Sequence, residues 1–149
     1  MKTCLFFSSL IMIAVLACSK DKFTTEPQVK VKSIAPNPVN FGNIIKVNAS
    51  FTDDEGNLES VLIVYKYYNG ITPTRIDTFR YTVGELNIPV KTRQADILIQ
   101  FAYGKNIEGY KTLGSSAKDT TASFGLLLVD ATKKRSNYSE SDKVRLKKP

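Results

Sequence analysis

A short acidic stretch carries the side chains best suited to hold a metal ion. Its oxygen-bearing residues surround Gly56 and are Asp53, Asp54, Glu55 and Asn57. Calcium is held by about six to eight oxygens from flexible loops, and Asp130 could add one if its loop shares an end of the fold with this stretch. The spacing differs from that of an EF-hand, so the alternative is an acidic turn whose carboxylates accept backbone N–H hydrogen bonds. The candidate calcium ligands are Asp53, Glu55, Asn57 and Asp130.

The same carboxylates could act as a general acid and base, as in glycoside hydrolases, where the two carboxyl groups lie roughly 5–9 Å apart. The rest of the composition argues against catalysis. The chain has no histidine, the commonest general base, and its two cysteines are Cys4 and Cys18. We therefore expect a non-catalytic protein without a cofactor other than calcium, and we keep a carboxylate-based hydrolase as the last alternative.

Two tyrosines are candidates for contact with a protein or a glycan. Tyr68 precedes Asn69 and Gly70, the strongest short signal for a β-hairpin because both residues tolerate positive φ. Tyr110 lies in the glycine-bearing stretch 104–116, which we expect to be a long loop or loose hairpin. Functional residues concentrate on loops carried by a rigid scaffold. The alternative is that the tyrosines fill the sheet and place their hydroxyl groups at its rim.

The chain is basic, with a formal net charge of +7. Much of the excess lies near its C-terminal end, at residues 133–135 and in the last seven residues. A basic balance can indicate nucleic acid binding, but no known binding motif accompanies the charge. We therefore expect a solvated terminal strand and no nucleic acid partner, and attraction to anionic glycans or lipid head groups stays open.

The N-terminal segment has the order of an export signal. Lys2 precedes an apolar run over residues 5–17, which is shorter than the roughly 20 residues needed to cross a bilayer. Residues 15–18 read V-L-A-C and resemble a bacterial lipobox. The resemblance implies acylation of the Cys18 thiol, cleavage before it and acylation of the new amine, and several acyl chains suffice for stable anchoring. Residues 19–21 read S-K-D and resemble the surface-export tract of Bacteroidota lipoproteins, although an ordinary tether is an equal alternative.

Alternation of polar and apolar residues predicts the elements that position these side chains. The predicted strands cover residues 28–34, 44–51, 58–68, 71–81, 85–90, 96–103, 121–130 and 142–147. Lys30 and Lys32 indicate an edge strand, Pro73 indicates an edge or a bulge, and residues 131–141 read as a polar turn. No segment keeps a helical period. Seven or eight short strands favour an antiparallel β-sandwich, with a small closed barrel as the alternative.

Two segments of this predicted domain resemble immunoglobulin-like domains of Bacteroidota lipoproteins. Residues 51–58 read F-T-D-D-E-G-N-L, similar to the strand–acidic turn–strand of those domains. Residues 128–130 and 135–139 read L-V-D and R-S-N-Y-S and are similar to their last hairpin. The resemblance implies an all-β fold, a single antiparallel immunoglobulin-like β-sandwich with no catalytic residues. The expected organisation is a lipoprotein signal peptide (1–17), a lipidated tether (18–27) and the sandwich domain (28–149).

One further short motif concerns modification. Residues 119–121 read D-T-T and resemble the O-glycosylation signal of Bacteroidota envelope proteins, which would place a glycan on Thr120. An ordinary turn is the equal alternative.

Together these observations predict a lipid-anchored envelope or cell-surface lipoprotein of the outer membrane that acts as a non-catalytic binding or display module. The expected partners are the membrane, through the lipid on Cys18, and an envelope protein or a glycan. The first alternative is a structural accessory subunit of an outer-membrane complex that is engaged through a sheet edge.

Overall fold

The computed structural model describes residues 26–149, which form nine β-strands and no helix. The predicted signal peptide, Cys18 and all but the last two residues of the tether lie outside the described residues. In the described part, no helix has the length and apolar character needed to span a membrane. The strands are β1 (Gln28–Ala35), β2 (Ile44–Thr52), β3 (Leu58–Asn69), β4 (Thr72–Thr82), β5 (Gln94–Tyr103), β6 (Lys111–Leu113), β7 (Thr120–Asp130), β8 (Ser139–Glu140) and β9 (Val144–Leu146).

The strands form two sheets. The first sheet has the order β1-β2-β5-β6, and the second has the order β4-β3-β7-β8, with β9 also paired to β7. Every pair is antiparallel except β5 with β6. Two separate sheets are consistent with the predicted β-sandwich.

The core lies between the sheets. Alternate residues of β2 and β3 are buried, as period two requires of strands with one face against a core. The Phe101 ring on β5 meets the Phe124 ring on β7 with centroids 5.2 Å apart, which joins the two layers directly. The core residues contributed by β2 and β3 are Ile45, Val47, Ala49, Phe51, Val61, Ile63, Tyr65 and Tyr67.

The hairpin between β3 and β4 forms one residue later than its sequence signal suggests. Asn69 pairs with Thr72, so the loop consists of Gly70 and Ile71. Gly70 has a φ of 60°, and positive φ at the first loop position is the requirement of a type II′ turn. Asn69 therefore ends the strand, and the glycine alone supplies the left-handed conformation.

Residues 85–90, predicted as a strand, form turns instead. The Ile88 amide donates to the Val83 carbonyl at 2.9 Å, and Asn87 has a φ of 53°. Leu86 and Ile88 are half-buried and pack against the core. The alternating apolar residues of this stretch therefore come from a turn that buries two side chains, and no strand forms there.

Two short strands escaped prediction. The stretch expected to be a loop or loose hairpin contains β6, which runs parallel to β5, and the stretch expected to be a polar turn contains β8. They have three and two residues, K-T-L and S-E, and neither has two apolar residues at alternate positions, as β9 has in Val144 and Leu146. Their pairing is decided by the neighbouring strand.

The two long edge strands agree with the sequence. β1 lies at the edge of the first sheet and exposes Lys30 and Lys32, which protects it from unwanted pairing. β4 lies at the edge of the second sheet, and its register with β3 shifts between Tyr67 and Tyr68, opposite Pro73. The predicted edge character of both strands is confirmed.

The loops lie at two opposite ends of the sheets. We call the end with residues 53–57 and 130–135 the acidic end, where the Ala131 amide donates to the Asn57 carbonyl at 2.9 Å. Gln28 pairs with the last residue of β2, so the described chain enters the fold at the acidic end. We call the other end the hairpin end, and its loops are residues 36–43, 70–71, 104–110 and 114–119.

Candidate functional site

The acidic turn is organised by a buried carboxylate. Asp53 is 1% exposed; its Oδ2 accepts from the Asn57 amide at 2.9 Å and its Oδ1 from the Glu55 amide at 3.3 Å. Gly56 has a φ of 63°, and a Cβ there would lie 2.9 Å from the Lys91 backbone. Residues 53–57 therefore form the acidic turn that was the alternative to a calcium loop, because the Asp53 carboxylate accepts hydrogen bonds from the backbone of its own turn.

The second turn of the acidic end has the same design. Asp130 is fully buried; its Oδ1 accepts from the Lys134 amide and from the Thr132 hydroxyl, both at 2.8 Å. Leu58 pairs with Asp130, so the two acidic turns are neighbours, as a shared site would require.

Two of the predicted calcium ligands keep an oxygen atom without a hydrogen bond. Asn57 Oδ1 and Asp130 Oδ2 are buried and have no partner among the described residues. Glu55 is engaged, since it accepts from Asn57 Nδ2 at 2.8 Å and from Lys134 Nζ at 3.1 Å. Within residues 26–149, no three His, Cys, Asp or Glu side chains are grouped to hold a metal ion. Calcium binding stays a prediction. Among the four predicted ligands, Asn57 Oδ1 and Asp130 Oδ2 are the buried oxygen atoms still without a hydrogen bond in the described structure.

Tyr68 lies in a polar cluster on the outer face of the second sheet. Its hydroxyl is 3.1 Å from Ser123 Oγ and donates to Glu140 Oε1 at 3.3 Å. Lys143 Nζ lies 3.8 Å from the centre of its ring, and Lys66 Nζ donates to Glu140 Oε2 at 2.8 Å. The predicted binding residue is thus half-buried, with both its hydroxyl and its ring already in contact.

The ion pair in this cluster shifts both pKa values toward the charged forms. The hydrogen bond to Glu140 raises the pKa of Lys66 to about 12. Partial burial alone would raise the pKa of Glu140, but hydrogen bonds from Lys66 and Ser123 outweigh it and lower that pKa. Both groups are therefore charged over the whole neutral range.

The cluster continues to Tyr138, a residue that no sequence pattern predicted to take part in a site. A Cβ on Gly125 would lie 2.1 Å from the Tyr138 hydroxyl, so the tyrosine lies on the backbone of β7. Lys66 Nζ is 4.8 Å from its ring centre. A glycine inside a strongly β-prone segment was the available signal, because such a glycine often marks the close approach of another group.

Tyr110 and Thr120 both lie at the hairpin end. The Tyr110 side chain is at the surface, 36% exposed, in the loop before β6. Thr120 begins β7, and its hydroxyl donates to the Tyr68 carbonyl at 3.0 Å. Glycosylation of Thr120 stays a prediction; a glycan on that oxygen would remove this donor.

The hairpin end also exposes apolar side chains on its loops. Ile71 at the hairpin tip is 89% exposed, and Phe41 is 41% exposed. The Phe41 ring lies against Gly104, where a Cβ would be 2.4 Å from it. Together with Tyr110, these residues form the exposed apolar set of the hairpin end: Phe41, Ile71 and Tyr110.

Comparison with known proteins adds no relative. No family model matches the chain, and no curated protein matches it. The functional conclusion therefore rests on the residues and contacts described above.

Proposed function

We propose that this protein is a lipid-anchored, non-catalytic lipoprotein of the outer membrane, on its periplasmic or cell-surface face, whose domain binds a protein or a glycan. One observation carries the proposal. The described chain enters the fold at the acidic end, whereas the exposed apolar set lies at the opposite, hairpin end. A chain anchored at Cys18 would therefore direct that set away from the membrane.

The length of the tether agrees with this geometry. Cys18 precedes Pro27 by nine residues, which span at most about 30 Å when extended. That reach is sufficient to hold the domain clear of lipid head groups. The described part of the chain begins at Glu26 and enters β1 at Gln28, so no long segment separates the tether from the first strand.

We also propose that the sandwich is immunoglobulin-like. The proposal rests on the resemblance of residues 51–58 to the acidic turn of such domains. Two antiparallel-rich sheets that enclose one core support it. The loops at the ends of such sandwiches are common binding positions, because the sheets hold them rigidly.

The anchor is tested by replacing the lipidated cysteine. Cys18→Ala should release the protein from membranes or leave it unprocessed at the higher mass of the precursor. Cys4→Ala is the matched control, because that cysteine lies inside the predicted signal peptide and should leave processing unchanged. Unchanged membrane fractionation and unchanged mass in Cys18→Ala would refute lipidation.

The binding role is tested by matched surface substitutions. Ile71→Ser and Tyr110→Ser should weaken crosslinking of the anchored protein to its envelope partner, or its retention on envelope glycans. Val90→Ser is the control, because Val90 is 85% exposed but belongs to the acidic end. Equal effects of all three substitutions would contradict a partner at the hairpin end.

A second candidate function, an accessory subunit of an outer-membrane complex, is favoured by β4. This edge strand has eleven residues, and those from Thr72 to Thr78 are all exposed. Among residues 26–149 it pairs only with β3, so its other edge offers backbone groups to a strand of a partner.

The edge hypothesis has its own test. The Thr78 amide donates to Asp77 Oδ1 at 2.8 Å and thus not to β3. Thr78→Pro should remove an outward donor, leave the melting temperature within a few degrees and abolish co-purification with the complex. Retained co-purification would exclude pairing along β4.

A further inference from the structure

A basic pocket lies on the outer face of the second sheet, near the acidic end. Its volume is about 330 Å³. Val129 pairs with Ser60 on one side and forms a bridge with Arg135 on the other, while Leu62 pairs with Arg80. Directly paired residues of neighbouring strands point to the same face of a sheet. The register therefore gathers these five side chains on one surface.

The pocket has an excess of positive charge. Arg80, Lys133 and Arg135 line it together with a single carboxylate, Glu59. Arg80 Nη2 donates to Glu59 Oε1 at 3.2 Å, and Lys133 donates to the other carboxylate oxygen. The hydrogen bond from Lys133 and the nearby positive charges outweigh partial desolvation and lower the pKa of Glu59. Among residues 26–149, no acidic side chain pairs with Arg135, so its guanidinium is available to a ligand.

A buried hydroxyl group in the same pocket has no partner. Ser60 is 1% exposed, and its Oγ forms no hydrogen bond within the described chain. A buried polar group without a partner destabilises the folded state. Ser60 is among the residues that line the pocket, and the missing partner of its hydroxyl group is an observation independent of the surface charges.

We propose that this pocket binds the carboxylate or sulfate group of an acidic glycan. The guanidinium of Arg135 offers two parallel N–H donors to such an oxyanion, and the Ser60 hydroxyl donates to it from the floor. Leu62 and Val129 provide half-buried apolar surface for the C–H face of a sugar ring. The proposal goes beyond the binding function proposed above, because it places a glycan site near the acidic end, separate from the exposed apolar set of the hairpin end.

The pocket shape favours a glycan over an anionic membrane. Leu62 and Val129 are only partly accessible in β3 and β7, and they lie on a sheet face and not at a loop tip. A flat bilayer surface would meet the side chains at the rim but would not reach the Ser60 hydroxyl. A single sugar with its acidic group fits a space of about 330 Å³.

The test measures binding of the purified full-length protein in detergent to two acidic glycans, polygalacturonate and dextran sulfate, with neutral dextran as the reference. Arg135→Gln should weaken binding about tenfold or more, because it removes the positive charge and the pair of parallel N–H donors that an oxyanion requires. Arg93→Gln is the matched control, because it removes the same charge from the acidic end outside the pocket, and binding should change less than about twofold.

Ser60→Ala separates a ligand contact from a structural role. It removes the buried unpaired hydroxyl, so the melting temperature should stay equal or rise while glycan binding falls about threefold or more. Equal losses in Arg135→Gln and Arg93→Gln, or no binding to either acidic glycan, would overturn the pocket. So would equally tight binding to vesicles of anionic lipid that Ser60→Ala leaves unchanged.

Failure of the pocket and failure of the proposed function remain distinguishable. Glycan binding that is lost in Ile71→Ser but kept in Arg135→Gln would refute the pocket and support a binding module that acts through the hairpin end. The fractionation of Cys18→Ala tests the anchor independently of both.

Discussion

The two acidic turns, residues 53–57 and 130–135, and the loops of the hairpin end use their side chains in opposite ways. At the acidic end, the buried carboxylates of Asp53 and Asp130 accept hydrogen bonds from their own turns, and the two turns are hydrogen bonded to each other. At the hairpin end, Ile71 and Tyr110 leave apolar surface in solvent. Carboxylates that accept hydrogen bonds from backbone amides stabilise a loop but are poorly placed for chemistry. Exposed apolar side chains contribute little to folding and are available to a partner.

The largest expected difference between the ends is in the unfolding free energy that is lost when a glycine of each end is replaced by alanine. Gly56 and Gly70 have nearly equal φ values, 63° and 60°. A Cβ on Gly56 would lie 2.9 Å from the Lys91 backbone, while one on Gly70 meets nothing within 4 Å. Gly56→Ala should therefore cost about 3 kcal/mol or more of unfolding free energy, against about 1 kcal/mol for Gly70→Ala. Urea denaturation measures both, and equal costs would show that the acidic turn can relax.

A smaller difference is expected from the polar and apolar side chains themselves. Asp53→Ala leaves two backbone amides without their acceptor and should cost about 2 kcal/mol. Ile71→Ser should change the unfolding free energy by less than about 0.5 kcal/mol, because the side chain is already in water. Thermal or urea unfolding of both variants gives the comparison, and a large cost for Ile71→Ser would mean that the hairpin tip packs in solution.

Calcium provides a third comparison. If Asn57 Oδ1 and Asp130 Oδ2 hold the ion, added calcium should raise the melting temperature. At a calcium concentration ten times the dissociation constant, the unfolding free energy should increase by about 1.4 kcal/mol. Chelator should reverse the rise, and Asn57→Ala should abolish it. A melting temperature that is the same with calcium and with chelator removes the site.

The smallest effect is expected on the outer face between the two ends. Glu140 has a lowered pKa in the folded state, so its contribution to stability is present above its ordinary value of 4.5 and is lost as the pH falls through the folded value. Lys66 has a raised pKa of about 12, so its contribution is present below 10.5 and is lost as the pH rises toward 12. Glu140→Gln should reduce the acid-side loss by less than about 1 kcal/mol, because the pair is partly exposed. Unfolding at neutral pH and at a series of values below pH 4.5 measures this contribution. The same loss of stability in Glu140→Gln and in the unmodified protein would assign the loss to other carboxylates.

Much of the fold was predictable because burial of one strand face leaves a period of two in the chain. The buried positions of β2 and β3 and the edge character of β1 and β4 follow from that pattern and from charge and proline placement. The turn at residues 85–90 was mistaken for a strand because half-buried apolar residues in a turn produce the same alternation. The strands β6 and β8 were missed because neither has apolar residues at alternate positions, whereas the equally short β9 has Val144 and Leu146.

The candidate sites were predictable only in part. The acidic residues and Tyr68 were identified as polar or aromatic groups near turns. The engagement of Asp53 by backbone amides, and of Tyr68 by Ser123 and Glu140, depends on contacts that composition does not contain. Tyr138 became part of the outer face because Gly125 leaves room for its ring.

The sequence by itself determined the class of fold, the likeness of residues 15–18 to a lipidation motif and the strands with a complete alternation, since each is a local pattern of polarity or size. Only the tertiary structure decided which end receives the tether and which side chains meet. Arg80 and Arg135 lie 55 residues apart in the chain, and they share a pocket because β3 is hydrogen bonded between β4 and β7. Strand register, a long-range property, converts separate surface charges into a single basic site.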